Sequence, residues 1–214
     1  GGSGFIGSHL VEALVPHHAV WSVDNYFNST RENHIEGCTY VNSDIVDIEK
    51  CSELPEYVDR VYHLAGYSRI EQSFEDVKQV WHSNMNGTFA VLEFCRSKNA
   101  KIVYGASSTI FSAEGKDLAP YTWTKANALN LVERYGDWYG LQYAVAYFYN
   151  VYGRRGPHGR LQTIIDKFQE QYLKGEPLTV VSPGTQRRIF THVNDIVSGL
   201  VLVGEKGEGN GYQL

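Results

Sequence analysis

Tyr121 and Lys125, four residues apart in Tyr121-Thr122-Trp123-Thr124-Lys125, carry the most pointed chemistry in this sequence. On a helix, residues i and i+4 share a face. An ammonium beside a phenol favours the phenolate and lowers the phenol's pKa. Tyr121 then becomes a proton shuttle usable near neutral pH. Tyr-x-x-x-Lys also arises by chance in a chain with 15 tyrosines, so its weight comes from its setting. Just ahead of it, an apolar stretch opens onto Ser107-Ser108-Thr109, whose hydroxyls can hydrogen-bond a reacting oxygen. The same run would serve equally as a helix cap or polar turn.

A second group of residues lies at the start. Gly1-Gly2-Ser3-Gly4-Phe5-Ile6-Gly7 puts glycines at 1, 4 and 7. Glycine permits a tight turn and close approach of backbone N–H groups to a pyrophosphate. A helix beginning there adds its positive end. Asp24 closes the next apolar run and can accept hydrogen bonds from adenosine ribose hydroxyls. A carboxylate there also repels a 2′-phosphate, which favours NAD over NADP. The plainer alternative is that Asp24 only caps a strand end.

These groups need elements to hold them. Short apolar runs alternate with helical stretches, the pattern of a parallel α/β sheet. Strands are predicted at 20–24, 38–44, 60–64, 101–105 and 143–148, with an extra strand at 178–181 outside the main sheet. Helices are predicted at 7–14, 77–99, 125–139, 163–173 and 195–204. A glycine loop of this kind should follow an apolar strand, so a first strand ahead of Gly1 is expected and missing. The last residues, 209–214, stop where a further strand could be starting.

Bulk properties exclude several classes. The chain has 214 residues, 43% hydrophobic, with a formal net charge of −5. That apolar content rules out a disordered chain, and the charge carries no basic footprint for nucleic acid. Arg154, Arg155 and Arg160 form the one dense basic stretch, read as a solvated loop or as the phosphate end of a pocket. No apolar run reaches the roughly 18 residues of a membrane span. Three cysteines, Cys38, Cys51 and Cys95, without tight spacing, argue against a disulfide framework and for a reduced, cytoplasmic setting. His17, His18 and His192 show no metal-ligand spacing, so no metal is expected. Trp81, Trp123 and Trp138 read as packing residues.

Taken together, these motifs resemble the extended short-chain dehydrogenase/reductases, the NAD-dependent sugar-nucleotide epimerases and dehydratases. The resemblance runs through nearly the whole chain. It implies a Rossmann-like doubly wound parallel sheet: an NAD-binding part at 1–149 and a small, partly interleaved substrate-binding part at 150–214. Gly1, Gly4, Phe5, Ile6 and Gly7 are similar to the family's cofactor loop, and Asp24-Asn25 to its ribose-binding acid and neighbour. Asp44-Ile45 resembles the pair that meets the adenine, and His63-Leu64-Ala65-Gly66 the strand end beneath the cofactor. Asn84, in Asn84-Met85-Asn86-Gly87-Thr88, corresponds to an asparagine near the cofactor. Ser107, Tyr121 and Lys125 match the catalytic set. Asn150 and Arg188 match residues that meet the substrate's diphosphate. The resemblance also implies a homodimer built on two helices, here 77–99 and 125–139.

Departures narrow the reaction. The 4,6-dehydratases carry Asp and Glu directly after the catalytic hydroxyl, and this chain has Ser108 and Thr109. Decarboxylating members usually have glutamate at the place of Thr109. The resemblance is therefore closest to UDP-glucose/galactose-type 4-epimerases acting on a nucleoside-diphosphate sugar, most readily a UDP-sugar. The stretch from Ser107 to Tyr121 is shortened, Tyr147 stands where many members have arginine, and Ile189 where many have aspartate. A keto-sugar reductase and a non-catalytic dinucleotide-binding protein are the rival readings.

Overall fold

A computed structural model of the chain describes residues 1–111, 119–157 and 159–214. The shortened loop after Ser107 falls mostly within 112–118 and, like the side chain of Arg160, lies outside the described residues.

The glycine turn leads into α1 (Phe5–Leu14). Strand β1 (Val20–Asp24) pairs in parallel with β2 (Cys38–Asn42), in a register that sets Asp24 beside Asn42. Four more strands form a parallel sheet in the order β3-β4-β5-β8: β3 (Arg60–His63), β4 (Lys101–Ser107), β5 (Tyr143–Phe148) and β8 (Gly209–Gln213). A short parallel ladder joins β6 (Asn150–Tyr152) to β7 (Phe190–His192). The closing residues thus do form a strand, beside β5.

Burial on both faces explains why the central strands are continuous apolar runs. Along β4, Ile102, Tyr104 and Ala106 face one core, while Val103 faces the other. Along β5, Val145 and Tyr147 alternate with Ala144 and Ala146 in the same way. The first core is closed by α3 (Gly87–Lys98) and α4 (Pro120–Tyr139) through Leu92, Cys95, Ala128 and Val132. The second is closed by α1 and α6 (Val193–Lys206) through Leu10, Leu14, Ile196 and Leu200. Residues 193–213 therefore pack on the same sheet, α6 against its second core and β8 beside β5.

β1 and β3 do not pair. They face each other across a cavity of about 670 Å³ lined by Leu10, Val20, Ser22, Val61 and Phe94 among others. The strand expected ahead of Gly1 concerns residues before the chain.

Three elements differ from expectation. The helix predicted at 77–99 is broken into α2 (Val77–Trp81), a π-turn (His82–Asn86) and α3. Such single wide turns recur at functional sites, and this one carries Asn84. Helix α4 starts at Pro120, with proline in its first turn, so Tyr121 and Lys125 share one helix. Residues 178–181 are not a strand. Leu178, Val180 and Val181 are exposed, and Thr179 is held by the Gln171 side chain of α5 (Ile164–Lys174) in place of a strand partner. The tryptophans are also not buried: Trp81 and Trp123 stack on each other, 5.5 Å between centroids, on an exposed face of α2 and α4. Among the described residues no helix is long and apolar enough to cross a membrane, and no three His, Cys, Asp or Glu gather as a metal site.

Candidate active site

At the head of α1 the backbone doubles back so closely that only glycine fits. A Cβ on Gly7 would run into Gly1 O and Gly2 Cα, and one on Gly1 into the backbone of Ala65. The turn is pinned to β1 by Ser3 N–H, which donates to Asp24 Oδ2 (3.0 Å). Asp24 Oδ1 accepts from Tyr26 N–H (2.9 Å) and Ser29 Oγ (2.8 Å). Burial alone would raise this carboxyl. Hydrogen bonds from Tyr26, Ser29 and Ser3 oppose it and favour the ionised form of Asp24. Next to it, Asn25 Nδ2 donates to Asp44 Oδ2 (2.9 Å), and His82 Nε2 lies 3.1 Å from the same oxygen. Asp44 Oδ1 also caps the turn that presents Ile45 (Val46 N–H, 3.1 Å).

One cavity of about 270 Å³ takes in nearly all of the expected cofactor residues. Gly1, Gly4, Phe5, Ile6 and Gly7 line it with Asp24, Asn25, Asp44 and Ile45, and the strand end Leu64, Ala65 and Gly66 forms its floor. Ser107, Tyr121 and Lys125 line its far end. Close backbone at a helix N-terminus, followed by a carboxylate one strand away, is the donor and acceptor set that a dinucleotide requires.

Three expected residues stand apart from that cavity. Asn84 is buried behind its wall: Oδ1 accepts from Tyr67 N–H (2.8 Å), while Nδ2 donates to Tyr67 O (3.3 Å) and Thr124 Oγ1 (3.1 Å). It ties the segment after β3 to α4. Asn150, in β6, donates to Ile189 O (3.0 Å). Arg188 is exposed and bonds to Arg187 O and Gln186 Oε1. Arg155 is paired with Glu12 at 2.9 Å. Tyr147 is buried against Phe111 and donates to Asn210 Oδ1.

The end lined by Ser107, Tyr121 and Lys125 departs from expectation in its electrostatics. The Tyr121 phenol is raised by burial, against which the Ser107 hydroxyl and the charge of Arg69 favour its ionised form. The Ser107 hydroxyl also lies 3.0 Å from Thr109 Oγ1. Lys125 Nζ is directed elsewhere: it donates to Gly105 O (2.6 Å) and lies 4.3 Å from the centre of the Tyr104 ring. Burial pushes its ammonium down to about 7. The helical spacing thus brings Lys125 to the pocket, but the cation acting on the phenol is Arg69. His63, beneath the floor, is pushed down to about 3 by burial and is neutral, with Nε2 2.9 Å from Thr88 Oγ1.

Sequence reasoning missed Arg69, Tyr149 and Thr163, all of which line the cavity. No local motif marks them. Arg69 sits in a polar loop between Ser68 and Ile70, and only the fold brings it to Tyr121.

A glycine turn, an acid at the next strand end and a Ser-Tyr-Lys set on one cavity define a dinucleotide-dependent enzyme of the α/β class. Residues 1–214 match a family model described as the NAD dependent epimerase/dehydratase family, and the chain belongs to that family. It is similar to UDP-glucose 4-epimerase of Thermotoga maritima, crystallised with UDP-glucose: TM-score 0.92 and 26% identity over 100% of this chain and 74% of that one. It is similar, too, to UDP-glucose 4-epimerase of Thermus thermophilus, solved with NAD: TM-score 0.88 and 30% identity over 100% and 75%. UDP-glucuronic acid decarboxylase 3 of Arabidopsis thaliana is 31% identical over 96% of this chain, which spans 65% of that protein's length.

Proposed function

We propose that this chain epimerises a nucleoside-diphosphate sugar at C4, a UDP-sugar by preference, through a transient 4-keto sugar. The observation that carries this reading is the meeting of Ser107 and Tyr121 with the glycine turn and Asp24 on one cavity. Tyr121, once ionised, takes the proton of the sugar 4-hydroxyl. Ser107 hydrogen-bonds the same oxygen and relays the proton. NAD, when bound, would supply the hydride chemistry at C4. Backbone N–H groups of Gly4 to Gly7 would hold its pyrophosphate and Asp24 its ribose hydroxyls. Lys125, anchored at Gly105 O, stands on the wall that the cofactor would lie against. The substrate's diphosphate is assigned to Asn150 and Arg188, which the β6–β7 ladder brings to neighbouring positions.

A second reading, decarboxylation of a uronate, is favoured by relatives that are uronate decarboxylases. Against it, Thr109 offers a hydroxyl where those enzymes usually carry glutamate. The test is the product formed from a panel of UDP-sugars by NAD-loaded protein, read by NMR. Inversion at C4 with all carbons retained supports the proposal; release of carbon dioxide supports the second reading. Tyr121→Phe should lower turnover by about 10²- to 10⁴-fold while denaturation still releases near-stoichiometric NAD. Turnover close to wild type in that variant refutes the assignment.

A further inference from the structure

Among the described residues of the pocket, Arg69 carries a charge that favours the ionised form of Tyr121 and has no described carboxylate bonded to it. It extends from the loop after β3 and is fixed along one edge. Nε donates to Leu161 O (2.8 Å), and Nη1 donates to Ser68 O (2.8 Å). Nη2 has no hydrogen-bond partner among the described residues, and the guanidinium forms no ion pair with a described carboxylate. Asp166 attracts it through space, but Asp166 Oδ2 is taken up by Thr163 N–H (3.2 Å) and Thr163 Oγ1 (2.5 Å). Arg69 lines the cavity together with Tyr121, Ser107 and Thr163.

Arg69 is half-buried, and a planar carboxylate is the best-matched partner for a partly desolvated guanidinium without an anion. The position narrows which carboxylate. Tyr121 addresses the oxygen on C4 of a hexopyranose, and C5, the neighbouring ring carbon, carries C6. A cation that shares the pocket wall with Tyr121 therefore stands near the sugar ring, on one side of which the C6 substituent lies. We propose that Arg69 recognises a C6 carboxylate, making the preferred substrate a nucleoside-diphosphate hexuronate in place of a neutral hexose. This rests on the reading of the pocket as a C4-oxidising site. The carboxylate keeps its charge throughout: C4–H is broken and re-formed, the O4 proton leaves to Tyr121 and returns, and C6 gains and loses nothing.

The experiment measures the affinities of NAD-loaded protein for UDP-glucuronate and for UDP-glucose by calorimetry. The two ligands share base, ribose and diphosphate, so their ratio reports C6 alone. Wild type should bind the uronate about 10- to 100-fold more tightly, the range of a charge-assisted pair. Arg69→Gln should bring the ratio close to one, and Arg69→Lys, which keeps the charge, should restore part of it. A merely structural role would weaken both ligands together and leave the ratio unmoved. A wild-type ratio near one, a ratio unchanged in Arg69→Gln, or no binding of either ligand overturns the proposal. An equal loss for both ligands, whether through the fold or the diphosphate, also overturns it. Failure of the C4 reading would show separately, as uronate-selective binding without product or cofactor reduction.

Discussion

Lys125→Met should remove a pH dependence that the fold builds into this chain. Burial pushes the Lys125 ammonium from 10.5 to about 7 in the folded protein. Between those values the unfolded chain holds a proton on this amine that the folded chain has released. Stability therefore rises with pH across that window, and the penalty is complete below about pH 7. The gap of about 3.5 corresponds to roughly 5 kcal/mol at 1.36 kcal/mol per pH unit. Lys125 keeps part of its surface on the cavity, and solvent screening there leaves roughly 2–3 kcal/mol as the expected share. Methionine retains the length of the side chain and carries no charge. Urea unfolding of the cofactor-free protein and the variant, from about pH 6 to about pH 10, gives the difference in which remote groups cancel. The variant should be the more stable by about 2–3 kcal/mol at pH 6, and its advantage should shrink steadily above pH 7. Parallel profiles would refute the reasoning. They would mean that Gly105 O and the Tyr104 ring keep the buried amine protonated.

Asn84→Ala removes three hydrogen bonds that tie Tyr67 and Thr124 together. It takes the Asn84 partner from the Tyr67 N–H and C=O, at a cost of about 3 kcal/mol; a loss under about 1 kcal/mol in urea unfolding would show that water or neighbours take over. Cys95, on the sheet-facing side of α3, is fully buried, and burial pushes its thiol up to about 12. An alkylating reagent near pH 8 should label the half-buried Cys38 and Cys51 first and reach Cys95 only as fast as the chain unfolds. Equal labelling of all three would contradict the packing of α3 on the sheet.

Much of the fold was legible because its signals are local. Strands β1 and β5 match the predicted 20–24 and 143–148; β5 is legible because residues buried on both faces must be apolar. Tyr121 and Lys125 could be paired from spacing alone, because helical periodicity needs no tertiary information. Asp24 was readable for the same reason, as the acid that ends an apolar run. The predicted strand at 178–181 failed because apolar residues make a strand only where an edge is free to pair with them, and Gln171 holds Thr179 instead.

The sequence by itself determined the layered α/β plan, the glycine turn and the Ser-Tyr-Lys set, because each is written in residues close along the chain. Only the tertiary structure decided where charge lies around Tyr121. Direction of a side chain depends on which carbonyls and rings the fold brings within reach. Gly105 O drew the Lys125 ammonium down to β4, while Leu161 O, remote in sequence, fixed Arg69 at the cavity. Electrostatics at a buried site is a long-range property of the packed chain, and no local pattern encodes it.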